Sequence, residues 1–296
     1  MGKEKLSMFE DYHVHSYHSD DSSYPMEQVV LDAIEMGMDE ICFTDHVDYG
    51  IKKDYIDCTP EQIACAVKNG DSPAQKDAII LNPDYPVYFA ELEALKQKYA
   101  GKIAIKKGLE FGMQTHTIPA YQKLFDCYAN QLDFILLSIH QVDDLEFWTQ
   151  DYQRNKSQDA YIQGYYNQLL DLVQNYKDYS VLAHLDLIAR YDKIGNYPFE
   201  KIEPVVTQIL KQVIQDGKGI EINTSSVRYQ VGDLTPSKDI LRLYKELGGK
   251  IITFGSDSHT PNHLGKYIQE QKQQLKELGF KEYCTFEKMS PFFHIM

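Results

Sequence analysis

Short, β-branched apolar runs alternate with stretches of helical spacing seven times along this chain. Strands are expected at Met8–His13, Glu40–Thr44, Lys102–Leu109, Asp133–Ser138, Ser180–Ala183, Gly219–Asn223 and Lys250–Gly255. Strands joined through helices must lie parallel, because a crossover returns the chain to the same edge. Seven such units predict an α/β fold, a closed or nearly closed barrel rather than an open sheet. The clearest helix carries Ile202, Val205, Val206, Ile209, Leu210, Val213 and Ile214 at steps of three and four, a single buried stripe. Pro25 suits the first turn of a helix bearing Met26, Val29, Val30, Ala33 and Ile34, and Thr235–Pro236 reads as the start of another. The one long irregular stretch, near 48–83, reads as a lid-like insertion in a single domain spanning 1–296.

Charge narrows the partners. Asp and Glu number 44 against 30 Lys and Arg, a formal net charge of −14. Such a chain is a poor ligand for nucleic acid or an anionic membrane surface. No run approaches the ~18 apolar residues of a membrane span, and the start lacks a signal-peptide pattern. The five cysteines are scattered, with no CxxC pair, which fits a reducing cytoplasm.

The histidines are placed unevenly. His13 and His15 close the first expected strand, Asp45 and His46 the second, Glu110 the third, His140 the fourth, His184 the fifth, and Asp257 with His259 the seventh. Only His18, His116, His263 and His294 of the ten histidines fall outside this pattern. In parallel α/β barrels the carboxyl ends of the strands hold the active site. A lone histidine there would satisfy a loop; six strand ends at once point to one polynuclear metal site. Imidazole mixed with carboxylate suits zinc, manganese or iron rather than calcium or magnesium. The ligands outnumber those of one catalytic ion, so two or three divalent ions are expected, with Glu110 as the natural bridge. Asp20 and Asp21 follow soon after; Asp20 reads equally well as the cap of an acidic turn.

The ordered segments DYHVHSYHSDDS, TDH, GLEFG, LLSIHQV, HLDLIARY, EINTS and GSDSH resemble the polymerase-and-histidinol-phosphatase (PHP) family of metal-dependent phosphoesterases. They span His13 to His259, most of the chain, and look most like the monofunctional histidinol-phosphatases of histidine biosynthesis. The resemblance implies a distorted seven-stranded TIM-like (β/α)7 barrel. It also implies three metals: one on His13, His15, Glu110 and Asp257; one on Glu110, His140 and His184; one on Asp21, His46 and His259.

A metal cluster lowers the pKa of bound water and supplies hydroxide to attack phosphorus in line. Glu110, Asp257 and His259 stand closest to that chemistry. Phosphate also favours guanidinium forks. Of four arginines, Arg190 and Arg228 follow expected strands, and the family likeness favours Arg190 as the phosphate clamp, then Arg228 with Ser225 or Ser226. L-Histidinol phosphate, with its amine and imidazole, suits acidic surroundings. Phosphotyrosine, sugar phosphates and nucleotides are alternative substrates, and a non-catalytic metal-binding barrel is an alternative of another class. No cysteine is followed six residues later by arginine, and no GxxxxGK[ST] loop occurs. Amidohydrolases share the HxH opening, but the lysine they usually carry after a middle strand is not found at the end of the fourth.

Overall fold

The computed structural model describes residues 8–67, 78–195 and 197–296. Seven parallel strands follow one another in chain order around the molecule. They are β1 (Glu10–Val14), β2 (Glu40–Phe43), β3 (Ala104–Gly112), β4 (Phe134–Ser138), β5 (Val181–Leu182), β6 (Gly219–Asn223) and β7 (Ile252–Gly255). All but β3 are buried along their whole length, as strands covered on both faces must be. The expected starts of several strands lie one or two residues early. β3 instead runs three residues further than expected, because a two-residue strand, His46–Val47, pairs with its upper end in the register His46↔Glu110. Glu110 therefore sits inside a strand, not past its end.

β1 and β7 close the ring. His15 N–H donates to the Ser258 carbonyl at 2.8 Å and Ser258 N–H to the His13 carbonyl at 3.3 Å. Below that bridge the Asp11 carboxylate, fully buried, takes over the ladder's role. It accepts from Ser256 N–H at 2.9 Å, Ser256 Oγ at 2.5 Å and Gly265 N–H at 3.0 Å.

Seven helices cover the ring: α1 (Met26–Glu35), α2 (Tyr85–Lys98), α3 (Ile118–Tyr128), α4 (Gln158–Asn175), α5 (Phe199–Gln215), α6 (Lys238–Glu246) and α7 (Ile268–Glu277). α5 buries the stripe read from the sequence, with Ile214 half-exposed at its edge. α6 corrects an expectation. The Thr235 carbonyl accepts from Asn223 N–H at 2.8 Å and so finishes β6; the Thr235–Pro236 bond is cis, and the helix starts after Ser237.

A C-terminal hairpin, β8 (Glu282–Glu287) and β9 (Ser290–Ile295), plugs the amino end of the barrel. Phe286 packs on Phe134 and Tyr12, and its N–H donates to the Tyr12 hydroxyl at 2.7 Å. With that end sealed by aromatic side chains, the open end is the carboxyl one. The stretch read as a lid contains a short helix, Pro60–Ala64, capped by Thr59, and a bridge between Lys53 and Leu81. Its residues 68–77 lie outside the described residues. No helix among the described residues is long and apolar enough to cross a membrane.

Candidate metal centre

The carboxyl ends of the strands converge on one carboxylate. Glu110 Oε2 lies 3.1 Å from His13 Nε2, 3.5 Å from His15 Nε2 and 2.9 Å from His46 Nδ1. Its Oε1 lies 3.1 Å from His140 Nε2 and 2.8 Å from His184 Nε2. Five imidazoles thus surround one fully buried acid. Burial alone would push its pKa up, but the charges of His13, His140 and His46 hold it well below the usual carboxylate range. His13 and His15 reach the same oxygen because residues two apart on a strand point to one side.

Asp257 faces the same ring nitrogens of His13 and His15 as Glu110 does, whereas Asp21 meets His46 at its other ring nitrogen. Asp257 Oδ1 is 3.7 Å from Nε2 of both His13 and His15. Asp21 Oδ2 is 3.2 Å from His259 Nε2 and 3.6 Å from His46 Nε2. Four groupings offer donor atoms that all lie within 4.8 Å of one another: His13, His15 and Glu110; Glu110, His140 and His184; His15, His46 and His259; and His46, Asp48 and His140. The first two match the sets expected from the sequence, with Asp257 beside the first. The third brings His15 to His46 and His259, with Asp21 at its rim. Asp48 was not anticipated.

Donor chemistry and ring orientation fit divalent metal. His13 Nδ1 is 2.5 Å from Glu221 Oε1, His15 Nδ1 3.0 Å from Ser19 Oγ, His140 Nδ1 2.7 Å from Asp48 Oδ1, and His259 Nδ1 3.1 Å from the Asp257 carbonyl. Each ring is held through one nitrogen by an outer partner, which fixes the other toward the centre, the arrangement of metal-bound histidines. Among the described residues, His15 Nε2 and His46 Nδ1 are buried without a hydrogen-bond partner of acceptable geometry. Burial and the neighbouring His259 and His46 push the His15 pKa well below its ordinary value, leaving a neutral imidazole with its lone pair available. Backbone geometry is unusual at two of these positions: φ is +24° at His184 and +56° at Asp257. Non-glycine residues rarely adopt that region, and such strain gathers at functional sites.

The centre floors a cavity of about 130 Å³. Arg190, Lys52, Glu146, Trp148, Tyr191 and Tyr229 line its upper wall. The Arg190 guanidinium stacks on Tyr229 at 4.2 Å, donates to Ser225 Oγ at 2.5 Å and lies 3.5 Å from Asp257 Oδ2. Lys52 is buried between Asp20, which accepts from its ammonium, and Asp48 at 2.7 Å. Asp20 is thus tied to a lysine rather than to the histidine cluster.

The other residues singled out for phosphate sit behind the wall. Arg228 donates to the Asp257 carbonyl at 2.9 Å and the Ser256 carbonyl at 3.3 Å, which props the strained turn. Ser225 bonds Asn223 and Asp257, and Ser226 accepts from Gln271 at 3.3 Å; both serines are buried outside the cavity lining. Sequence reasoning missed Glu221, Asp48 and Lys52. Glu221 left one signal, an acid in the middle of an apolar strand, GIEIN.

Comparison with known proteins agrees with this geometry. The PHP domain matches residues 11–225. The chain is 31% identical over 283 residues to the histidinol-phosphatase of Lactococcus lactis, covering 94% of each. It is 24% identical over 272 residues to the histidinol-phosphatase of Bacillus subtilis, covering 86% of this chain and 95% of that one. The crystal structure of the Lactococcus lactis histidinol phosphate phosphatase, complexed with zinc, L-histidinol and phosphate, superposes with a TM-score of 0.79 at 29% identity, over 96% of this chain and 98% of that one. Matched in sequence and in shape over nearly its full length, the chain belongs to the PHP domain family, beside its histidinol-phosphatases.

Proposed function

We propose that this protein is a metal-dependent phosphomonoesterase that hydrolyses L-histidinol phosphate to L-histidinol and phosphate. The observation that carries the reading is Glu110, a buried carboxylate facing five imidazoles, with Arg190 lining the cavity above them. The relative of known structure that superposes over the whole barrel is described with zinc, L-histidinol and phosphate.

His13, His15, Glu110 and Asp257 would hold one ion, Glu110, His140 and His184 a second, and Asp21, His46 and His259 a third. Zinc, manganese and iron suit these donors. Bound ions supply an activated water and neutralise charge on the phosphoryl oxygens. The chain's own groups do the rest. Arg190, stacked on Tyr229 and braced by Ser225, presents a fixed fork to phosphate. Lys52 lies buried in the cavity lining between Asp20 and Asp48, whose carboxylates it neutralises. Glu146 gives the mouth the acidic character that an amine and an imidazole prefer. A volume of about 130 Å³, below the ~300 Å³ floor of larger ligand pockets, favours a small metabolite over a nucleotide. The histidine pathway and five unpaired cysteines suit the cytoplasm.

The test is phosphate release from L-histidinol phosphate, phosphotyrosine, a sugar phosphate, a nucleotide and p-nitrophenyl phosphate, with metal content determined on the same preparation. A kcat/KM for L-histidinol phosphate orders of magnitude above the rest, abolished in Glu110→Ala, is expected. Equal, feeble turnover of all five would overturn the substrate and keep the chemistry. No turnover by metal-loaded protein would overturn both.

A further inference from the structure

Asp45 lies just past β2, next to His46, and by type and place it suits a metal ligand. It joins none of the four donor groupings found among the described residues. Its side chain is fully buried and bonded to the loop after β1 instead. Oδ1 accepts from Ser16 N–H at 2.8 Å, Ser19 N–H at 2.9 Å and Ser19 Oγ at 2.8 Å, and Oδ2 from Ser16 Oγ at 3.0 Å. The loop is thereby wrapped around one acid. The Asp45 carbonyl also accepts from Glu110 N–H at 3.1 Å, which ties the same residue to the strand of the central carboxylate.

Ser19 carries the effect onward. A hydroxyl has one proton to donate and two lone pairs, and a carboxylate can only accept. The Ser19 proton therefore goes to Asp45. The hydroxyl oxygen is left to accept from its other two neighbours, His46 N–H at 3.1 Å and His15 Nδ1 at 3.0 Å. A neutral imidazole has one donor nitrogen and one acceptor nitrogen. With the hydrogen on Nδ1, the ring's lone pair falls on Nε2, 3.5 Å from Glu110 Oε2. His15 belongs to two donor groupings, one with His13 and Glu110 and one with His46 and His259. The opposite tautomer would aim an N–H at the centre of both. His15, Ser16 and Ser19 are buried along with Asp45, which shields the network from competing water.

We propose that Asp45 is a positioning residue of the metal centre: through the Ser19 hydroxyl it holds His15 in the Nδ1–H tautomer and so keeps Nε2 open to a metal ion. The proposal rests on the reading of His15 as a metal ligand. Glu221 and Asp48 touch the rings of His13 and His140 directly, whereas a serine stands between Asp45 and His15. An aspartate that merely stiffened the loop would affect folding and leave the tautomer and the metal affinity unchanged.

The test measures zinc affinity of the full chain, stripped of metal and titrated against a chromophoric chelator, in the wild type, Ser19→Ala, Asp45→Asn and the double variant. Each single change is expected to weaken one bound ion by about 10–100-fold, the range for outer partners of metal-bound histidine. Because both residues act through one hydroxyl, the double variant should be no weaker than the worse single one, whereas independent effects would multiply. Nitrogen-15 spectra of the metal-free chain, with His15→Asn identifying the ring, are expected to show His15 protonated on Nδ1 in the wild type and to lose that preference in Ser19→Ala. Unchanged zinc affinity in either single variant, multiplied losses in the double variant, or an Nε2–H tautomer in the wild type would each overturn the proposal. Absence of zinc binding by the wild type would overturn it together with the metal centre itself. If Asp45→Asn fails to fold, Ser19→Ala and the wild-type spectra decide.

Discussion

Glu221 braces two histidines at once: its Oε1 lies 2.5 Å from His13 Nδ1, and its Oε2 accepts from the His184 backbone N–H at 2.8 Å. A residue of β6 thereby sets the ring of β1 and the strained turn after β5. Glu221→Gln keeps the shape but loses the charge that aims His13. Metal affinity is expected to fall by about 10–100-fold, the usual cost of an outer partner. Metal content after dialysis against buffered zinc, compared with activity restored by excess zinc, measures it. Full occupancy at wild-type zinc levels would refute the positioning role.

Arg190 makes a different prediction. Arg190→Lys keeps the charge and loses the planar fork, so kcat/KM for L-histidinol phosphate should drop by about 10–100-fold, in line with ~1.5–3 kcal/mol for a charged hydrogen bond. Metal content should not change. A drop in bound metal instead would mean that the residue acts through Asp257.

Chelation should affect stability as well as activity. Burying five imidazoles around one acid leaves donor atoms that a cation satisfies and that solvent reaches poorly. Ions that bind only the folded state stabilise it by about 2.7 kcal/mol at a hundredfold excess over Kd. Treatment with 1,10-phenanthroline is therefore expected to lower the melting temperature together with activity, and added zinc or manganese to restore both. An unchanged melting temperature after proven metal loss would count against the cluster.

The other end of the barrel predicts a pH effect. Glu10 is buried against Lys272 at 2.7 Å, and burial pushes its pKa from 4.5 to about 7. The folded state thus holds a proton that the unfolded chain releases, so this group's contribution is intact below pH 4.5 and is lost as pH rises to about 7. Relative to Glu10→Gln, the wild type should lose on the order of 3 kcal/mol across that window. Urea unfolding of both proteins at several pH values gives the difference directly; a gap that widens in favour of the wild type as pH rises would reverse the sign.

The strand order and the histidines at the strand ends were legible because both are local. Short apolar runs mark strands, and a polar residue at the end of one is visible without knowing the neighbours. What the sequence hid was non-local. Glu110 looked like a strand's end because an acid interrupts the apolar run, yet His46–Val47, sixty-odd residues earlier, extends the ladder past it. Lys52 and Asp48 lie in a stretch rich in turn formers, where nothing nearby marks their pairing with Asp20 and His140. Arg228 was singled out for its type and position, but its guanidinium is spent on two backbone carbonyls. The terminal hairpin went unforeseen because its apolar residues pack on Tyr12 and Phe134, far away in the chain.

Asp11 closes the ring with contacts that involve no candidate metal ligand's side chain. That separates two events in the life of the molecule. The histidines and acids of the cluster come from both ends of the polypeptide, between His13 and His259, so the two sites that use Asp257 or His259 are not complete until the last barrel strand has been made and docked. A seam fastened by Asp11 lets the newly synthesised barrel shut first and wait, already shaped, for ions that arrive later.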